Sequence, residues 1–390
     1  MRRLPGATLG VLWVVTWLGL CAGRPGWFRS FAQSSDAVNS AVILVWPLAA
    51  GMGAAQAVAA RRGGMLALVE AWPGCGLWRL VRAEVGFAWL LALVGGTFAS
   101  LSAFVVAAGG GSVASVWSLA GLVISCLGVL AALLWGWVAG LVLPSFLTAA
   151  ALPIALYLVI WLLPAYTFID PVSFTGATSL IGTAARLSPS AMVWLIAWQT
   201  ASVLAAAHVV RLIGAGAARS AWGRRIDASI VALLLVVAVA LTILGPTGKG
   251  GSPWEHRGPE AWGCRTVGVG STACLPRDLA FLEDEYFEAM TRADAAMRVL
   301  VGDTDEILYS QSVWASAVHR GLFIYVDTSL DDPELTWASY LMTYTASLSG
   351  PGADCFDGIE ASQELWVKIL RGYEVTDEQV LAASRAVAGC

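Results

Sequence analysis

Charge is what this chain lacks. Asp, Glu, Lys and Arg make up only 13% of its 390 residues, where a soluble globular protein carries roughly 25%. Lysine is nearly absent, with 2 residues against 21 Arg, and Asn39 is the sole asparagine. So few ionised groups cannot clothe the surface of a chain this long in water, which excludes an ordinary soluble enzyme or scaffold. No nucleic-acid partner is expected. There is no GxxxxGK[ST] phosphate-binding motif. The string GPTGKGG at 245–251 has the wrong spacing and places Gly250 where the Ser or Thr would stand.

What is present is apolar. Hydrophobic residues are 58% of the chain, 19 residues are Trp, and mean hydropathy is +0.71. A helix needs about 20 mostly apolar residues to cross the hydrocarbon of a bilayer. Seven stretches qualify: 7–23, 37–60, 85–108, 113–140, 146–164, 190–213 and 227–245. None has an acid or base near its centre, where a charge costs on the order of 3 kcal/mol. Pro153 predicts a kink in the fifth. Trp46, Trp89, Trp135, Trp137, Trp161 and Trp194 fall toward span ends, as an interfacial aromatic belt would have them. The pattern Gly136-Trp137-Val138-Ala139-Gly140 offers a small-residue contact face. Gln56, Gln199 and His208 are the conspicuous polar groups at membrane depth. With no carboxylate in the middle of a span, a proton-driven carrier is disfavoured.

The charges divide the chain in two. Residues 1–245 hold thirteen Arg against Asp36, Glu70, Glu84, Asp170 and Asp227, a balance of +8; residues 246–390 carry −12. With the N-terminus inside, Arg2, Arg3, Arg61, Arg62, Arg79, Arg82, Arg211, Arg219, Arg224 and Arg225 face the cytoplasm, and only Arg24, Arg29 and Arg186 lie outside. Ten against three satisfies the positive-inside rule. An odd number of spans then leaves the tail outside. The expected fold is an α-helical polytopic membrane protein of about seven spans, N-terminus in and C-terminus out, with a small α+β extracytoplasmic domain over 246–390. A rival reading takes the first span as a cleaved signal, with Leu18-Gly19-Leu20-Cys21 near the cut; the bulky Leu20 argues against it, and the tail is outside either way.

Four of the 7 cysteines, Cys264, Cys274, Cys355 and Cys390, lie in the tail. An even number in an oxidising compartment predicts two disulfides. The favoured pairing is Cys264 with Cys274, closing a short hairpin or loop, and Cys355 with Cys390, tying down the C-terminus; two other connectivities are open. Loops of these sizes are worth about 2.5–4 kcal/mol.

Residues 61–84, RRGGMLALVEAWPGCGLWRLVRAE, are too short and charged to span, yet too apolar for an ordinary loop. Leu66 to Glu70 and Leu77 to Arg82 predict two short amphipathic helices about a Pro73-Gly74 break, lying along the inner membrane face. The alternatives are a plain surface-hugging connector and a lever docked in a partner's groove. Arg61, Arg62, Leu66, Glu70, Pro73, Trp78, Arg79 and Arg82 are the candidate coupling residues. In order and topology this stretch resembles the loop after the second span of type-2 ABC export permeases, particularly actinobacterial ones, in which an Arg-rich entry, a Leu/Glu turn, a Pro and a basic-apolar helix follow one another. The resemblance covers about residues 1–215. It implies a coupling helix that touches a separate ATP-binding subunit, ATP held there rather than in this chain, and a path completed by a second permease copy or related chain. It also implies short re-entrant or interfacial helices in 165–189. The chain departs from the family in having only MRRLPG before its first span, and in its seventh span and acidic tail.

The tail shows a long amphipathic helix over about 275–300, with Leu279, Leu282, Tyr286, Met290, Ala293 and Met297 at helical spacing. Strands are expected at 306–312 and 321–327, and helices from Asp331 or Asp332 to about Leu348, over about 357–371, and from Thr376 to about Val387, where T-D-E-Q forms a capping box. His256 and His319 are its only histidines, with no HExxH, CxxC or GxSxG, so no catalytic set assembles. Glu283, Asp284, Glu285 and Glu288 fit a solvated face; Asp303, Asp305 and Glu306 are a weaker candidate for a hard cation. The expected function is a permease-like ABC transporter subunit that exports a substrate. The alternative is a non-transporting receptor, sensor or immunity protein.

Overall fold

The computed structural model describes residues 4–22, 31–65, 77–109, 116–166, 185–215, 254–256, 262–302, 306–310, 322–326, 332–348 and 356–388. Its first part is helical: α1 (Leu4–Ala22), α2 (Phe31–Ser40), α3 (Val42–Arg62), α4 (Leu77–Gly109), α5 (Val116–Val142), α6 (Phe146–Tyr166) and α7 (Pro189–Ala215). Each of the first six apolar stretches falls on a helix. Four helices, Gln33–Arg62, Leu77–Gly109, Ala120–Val142 and Pro189–Ile213, are long and apolar enough to cross a membrane, and Ala7–Ala22 and Phe146–Ile160 are shorter apolar helices. The seventh stretch, 227–245, lies outside the described residues.

Two helix boundaries differ from expectation. The second helix starts earlier than expected: α2 runs into α3 through Ala41, whose backbone stays helical and whose N–H donates to Ala37 O at 3.0 Å. The stretch Leu77 to Arg82 is no separate helix along the membrane face: it is the start of α4, which continues for 33 residues. Between Arg82 and Phe87 the chain has no proline and one glycine, Gly86, so nothing stops the helix from propagating.

Small residues bring the helix backbones together. A Cβ on Gly136 would stand 2.0 Å from the carbonyl oxygen of Ala50, and one on Gly140 2.5 Å from that of Ala54. The expected contact face is therefore used, and α3 and α5 run parallel across it. From the other side, a Cβ on Gly53 would meet the Leu133 carbonyl oxygen at 2.2 Å. Helices α1 and α4 touch the same way: a Cβ on Gly95 would lie 2.4 Å from Gly10 Cα. Such approach gains dispersion along whole helix lengths, the main source of attraction where apolar burial against lipid gains little. Helix α6 runs through Pro153, whose ring seats on Gly51 of α3.

Tryptophan nitrogens tie the bundle further. Trp13 Nε1 donates to Val38 O at 2.8 Å and Trp89 Nε1 to Cys126 O at 2.8 Å. Trp135 Nε1 donates to Ser202 Oγ and Trp137 Nε1 to Gln56 Oε1, each at 3.0 Å. Trp137 is fully buried, so it belongs to the core and not to an interfacial belt. The half-buried Gln56 at its depth accepts from its indole N–H through Oε1. Trp161's side chain lies outside the described residues.

The tail holds a four-stranded sheet in the order β3 (Trp262–Gly268), β4 (Ser271–Pro276), β5 (Ile307–Ser310), β6 (Leu322–Tyr325), antiparallel between the first two and parallel thereafter. Against it pack α8 (Glu283–Val301) and α9 (Pro333–Leu348), and on those helices α10 (Phe356–Leu370) and α11 (Asp377–Ala388). The apolar series Leu279, Leu282, Tyr286, Met290, Ala293 and Met297 is buried. The helix itself starts later than expected, because Leu275 and Pro276 end strand β4 and Arg277–Leu282 form a 3-10 turn. Asp332 Oδ1 caps α9 by accepting from Leu335 N at 3.0 Å. Thr376 N donates to Gln379 Oε1 and Gln379 N to Thr376 Oγ1, the reciprocal box read from T-D-E-Q. Cys264 and Cys274 face each other across β3 and β4 and are bonded. Cys355 and Cys390 lie outside the described residues, as do Asp303 and Asp305.

A second, two-stranded sheet links the parts: β1 (Ala185–Leu187), just before α7, pairs antiparallel with β2 (Trp254–His256), with Arg186 opposite Glu255. The residues between Tyr166 and β1 lie outside the described set, so the helices expected there are not among the described elements.

Candidate functional site at the basic end of the bundle

Alternation of the helices gathers the C-terminal ends of α3, α5 and α7 with the N-terminal ends of α4 and α6. Arg61 Nη1 donates to Leu141 O at 2.8 Å, bridging the ends of α3 and α5. The Arg62 guanidinium lies 4.1 Å over the Phe146 ring at the start of α6, and Arg211 of α7 lies 4.8 Å over Trp78 at the start of α4. Gly64, at φ 69°, turns the chain out of α3, a left-handed position that suits glycine.

Of the candidate coupling residues, Arg61, Arg62, Trp78, Arg79 and Arg82 sit at this one end, and the four arginines are exposed. Leu66, Glu70 and Pro73 lie outside the described residues. The two borders of the 61–84 loop are thus fastened to different neighbours, the α3 border to α5 and α6 and the α4 border to α7.

Behind these borders a cavity of about 520 Å³ opens between α4, α5 and α7. Arg82, His208 and Arg211 supply its polar lining, while Trp89, Leu134 and Val203 are part of its apolar wall. Sequence reading placed His208 near the helix end but missed the cavity. A signal exists in each helix alone: Trp78, Arg82, Val85 and Trp89 share one face of α4, and Leu204, Ala207, His208 and Arg211 one face of α7, at spacings of three and four.

The acidic face of α8 is largely spent on ion pairs. Arg265 Nη2 meets Glu283 Oε1 at 2.7 Å and Arg265 Nη1 meets Asp284 Oδ1 at 3.3 Å, while Glu288 pairs with Arg292. Among the described residues no group of three His, Cys, Asp or Glu converges as a metal would need. The tail does hold one buried polar knot that sequence reading missed. Asp294, 3% exposed, binds Arg298 Nε at 2.9 Å and accepts from Tyr309 Oη at 3.2 Å; Arg298 also reaches Ser271 Oγ at 2.6 Å. Burial, and next the Asp294 charge and hydrogen bond, push the Tyr309 phenol above its ordinary range. Every member has its partner inside the domain, which makes this knot a fastening and not a reactive centre.

Compared with known protein families, curated proteins and solved structures, the chain matches none.

Proposed function

We propose that the chain is the membrane-spanning, permease-like subunit of an ABC transporter of a bacterial cytoplasmic membrane, exporting a substrate with energy from a separate ATP-binding chain. The observation that carries this reading is the double fastening of the 61–84 loop. A loop that receives force from a partner must pass it to more than one helix. Arg61 and Arg62 hand displacement to α5 and α6, and Trp78 hands it to α7. A plain connector has no need of those ties.

Sidedness enters as part of the same proposal. The arginines of the loop borders put their end of the bundle in the cytoplasm. Strand β1 stands at the start of α7, at that helix's opposite end, and pairs with β2 of the tail. A chain that leaves α7 at the basic end and returns to β1 must recross the bilayer between 215 and 254, where the apolar stretch 227–245 lies. The disulfide between Cys264 and Cys274 fits the same outer, oxidising side. Buried Leu9, Trp13, Trp17 and Cys21 make α1 part of the packed bundle, which favours a retained first span over a cleaved signal.

The test is purification of the full chain from its native membranes in mild detergent, with identification of what accompanies it. A Walker-motif ATPase should co-purify, and Glu70→Lys with Arg79→Glu should release it while membrane abundance stays unchanged. Recovery of no ATPase from crosslinked membranes, or undiminished recovery with the doubly charge-reversed loop, would overturn the reading.

One observation favours the alternative, a receptor, sensor or immunity protein. The tail has a core of its own, built on Tyr286, Met290, Trp337 and Trp366, large enough for a binding domain. A tail that captures a ligand while no ATPase accompanies the chain would decide for it.

A further inference from the structure

We propose that the cavity between α4, α5 and α7 is a binding site for an anionic phospholipid drawn from the leaflet at the basic end of the bundle. The cavity's two-sided chemistry supports such a ligand whether or not the chain transports.

The cavity's size, about 520 Å³, falls within the range of small-molecule sites, roughly 300–1,000 Å³. Its lining is mostly hydrocarbon, including Leu130, Leu134, Val203 and Leu204. Water gains little against such a wall, whereas an acyl chain or glycerol backbone fills it without leaving a polar group unpaired. Leu204 is 54% exposed on the outer surface of α7, so the wall continues onto the face that meets lipid.

The rim is cationic. Arg82 and Arg211 both line the cavity and both lie at the bundle end where Arg61, Arg62 and Arg79 also stand. Glu84 is the described acid on this end of α4, and it is absent from the lining. Arg211 offers the face of its guanidinium to Trp78, which steadies the side chain and leaves the in-plane N–H groups to a phosphate oxygen. His208 stands one helical turn before Arg211 on the same wall and adds a ring nitrogen for headgroup hydroxyls. A basic pocket between membrane helices at the cytoplasmic surface is where anionic headgroups are held. A zwitterionic lipid brings a cation that this rim repels, and free phosphate leaves the apolar wall unfilled.

The test uses the full chain purified in an uncharged detergent. Native mass spectrometry would count lipids retained after addition of phosphatidylglycerol, phosphatidylcholine or inorganic phosphate. Phosphatidylglycerol should be retained on the order of tenfold more than phosphatidylcholine, and phosphate should neither bind measurably nor displace it. Arg82→Gln with Arg211→Gln should lower phosphatidylglycerol retention by about tenfold. Ala207→Phe, which fills the cavity and keeps both arginines, should lower it as well, and Arg265→Gln in the tail should leave it unchanged. Equal retention of the two lipids by the unmodified chain would overturn the proposal even if a variant failed to fold. So would undiminished retention by the two cavity variants, or displacement by phosphate alone.

Discussion

Gly136 of α5 rests on the carbonyl oxygen of Ala50 in α3, so near that a methyl group there would stand 2.0 Å from that oxygen. Backbone, not a flexible side-chain end, blocks the space. Gly136→Ala must therefore push α5 away from α3 or bend one of them, and Gly140→Ala repeats the conflict one turn on, against Ala54. Overpacking of this kind costs about 1–3 kcal/mol. Gly136→Ala should lower the unfolding temperature of the detergent-purified chain. Gly86→Ala, at a position where an added Cβ meets nothing within 4 Å, should not. Equal behaviour of the two variants would mean that α3 and α5 are not in backbone contact.

The tail has an analogous tight spot. A Cβ on Gly268 would fall 1.9 Å from Asp294 Oδ2, so the carboxylate occupies the place of a side chain. Asp294→Ala leaves Arg298, with its side chain 15% exposed, without its carboxylate, and breaking a buried pair from one side costs about 3–5 kcal/mol. Gly268→Ala should destabilise the tail by displacing the same carboxylate. Resistance of the tail to limited proteolysis in intact membranes reports both. A tail as resistant as the unmodified one in both variants would show that the Asp294 pair holds nothing together.

Much of this fold is legible in the sequence, and what is not has a physical cause. Local signals carry far: of the two candidate caps Asp332 is the one used, the Thr376–Gln379 box closes, and Cys264 pairs with Cys274 ten residues on. Hydropathy locates the apolar helices but cannot tell a lipid-facing indole from a buried one. Trp137 required its partner Gln56, on another helix, to be assigned to the core. The Gly136–Gly140 face was visible, yet its partners Ala50 and Ala54 look like any alanine. Strands β1 and β2 are three residues each, too short for periodicity to register. The cavity lies between helices far apart in sequence, and only their packing creates it.

Alkaline pH should unfold the tail through two buried phenols. Burial raises the pKa of Tyr286 and of Tyr309 in the folded state, with the Asp294 charge adding to burial at Tyr309. A raised folded pKa means that the folded chain holds the proton more tightly than the unfolded one. This contribution is whole below the ordinary tyrosine value of about 10 and drains away as pH rises from there toward the folded values. The unfolding temperature of the full chain should fall steeply above about pH 10, and less steeply in Tyr309→Phe, whose starting stability is also lower. Slopes in Tyr309→Phe and Tyr286→Phe as steep as that of the unmodified chain would sink the assignment to these two groups.

The β1–β2 pairing makes the sidedness argument directly testable. Arg186 and Glu255 are opposite residues of an antiparallel ladder, where Cα atoms stand about 4.5–5.5 Å apart, within the range a disulfide spans. Arg186→Cys with Glu255→Cys should crosslink under mild oxidation, and peptide mapping by mass spectrometry identifies the bond among the native cysteines. An impermeant thiol reagent applied to intact cells should reach each single variant, since both strands are proposed to lie outside. A crosslink with no labelling would place loop and tail together in the cytoplasm, which keeps a recrossing after α7 but inverts the proposed orientation of the bundle. Labelling at 186 alone would separate the strands and dismantle the pairing. Only the crosslink with labelling at both sites agrees with a tail that lies outside, beside the start of α7.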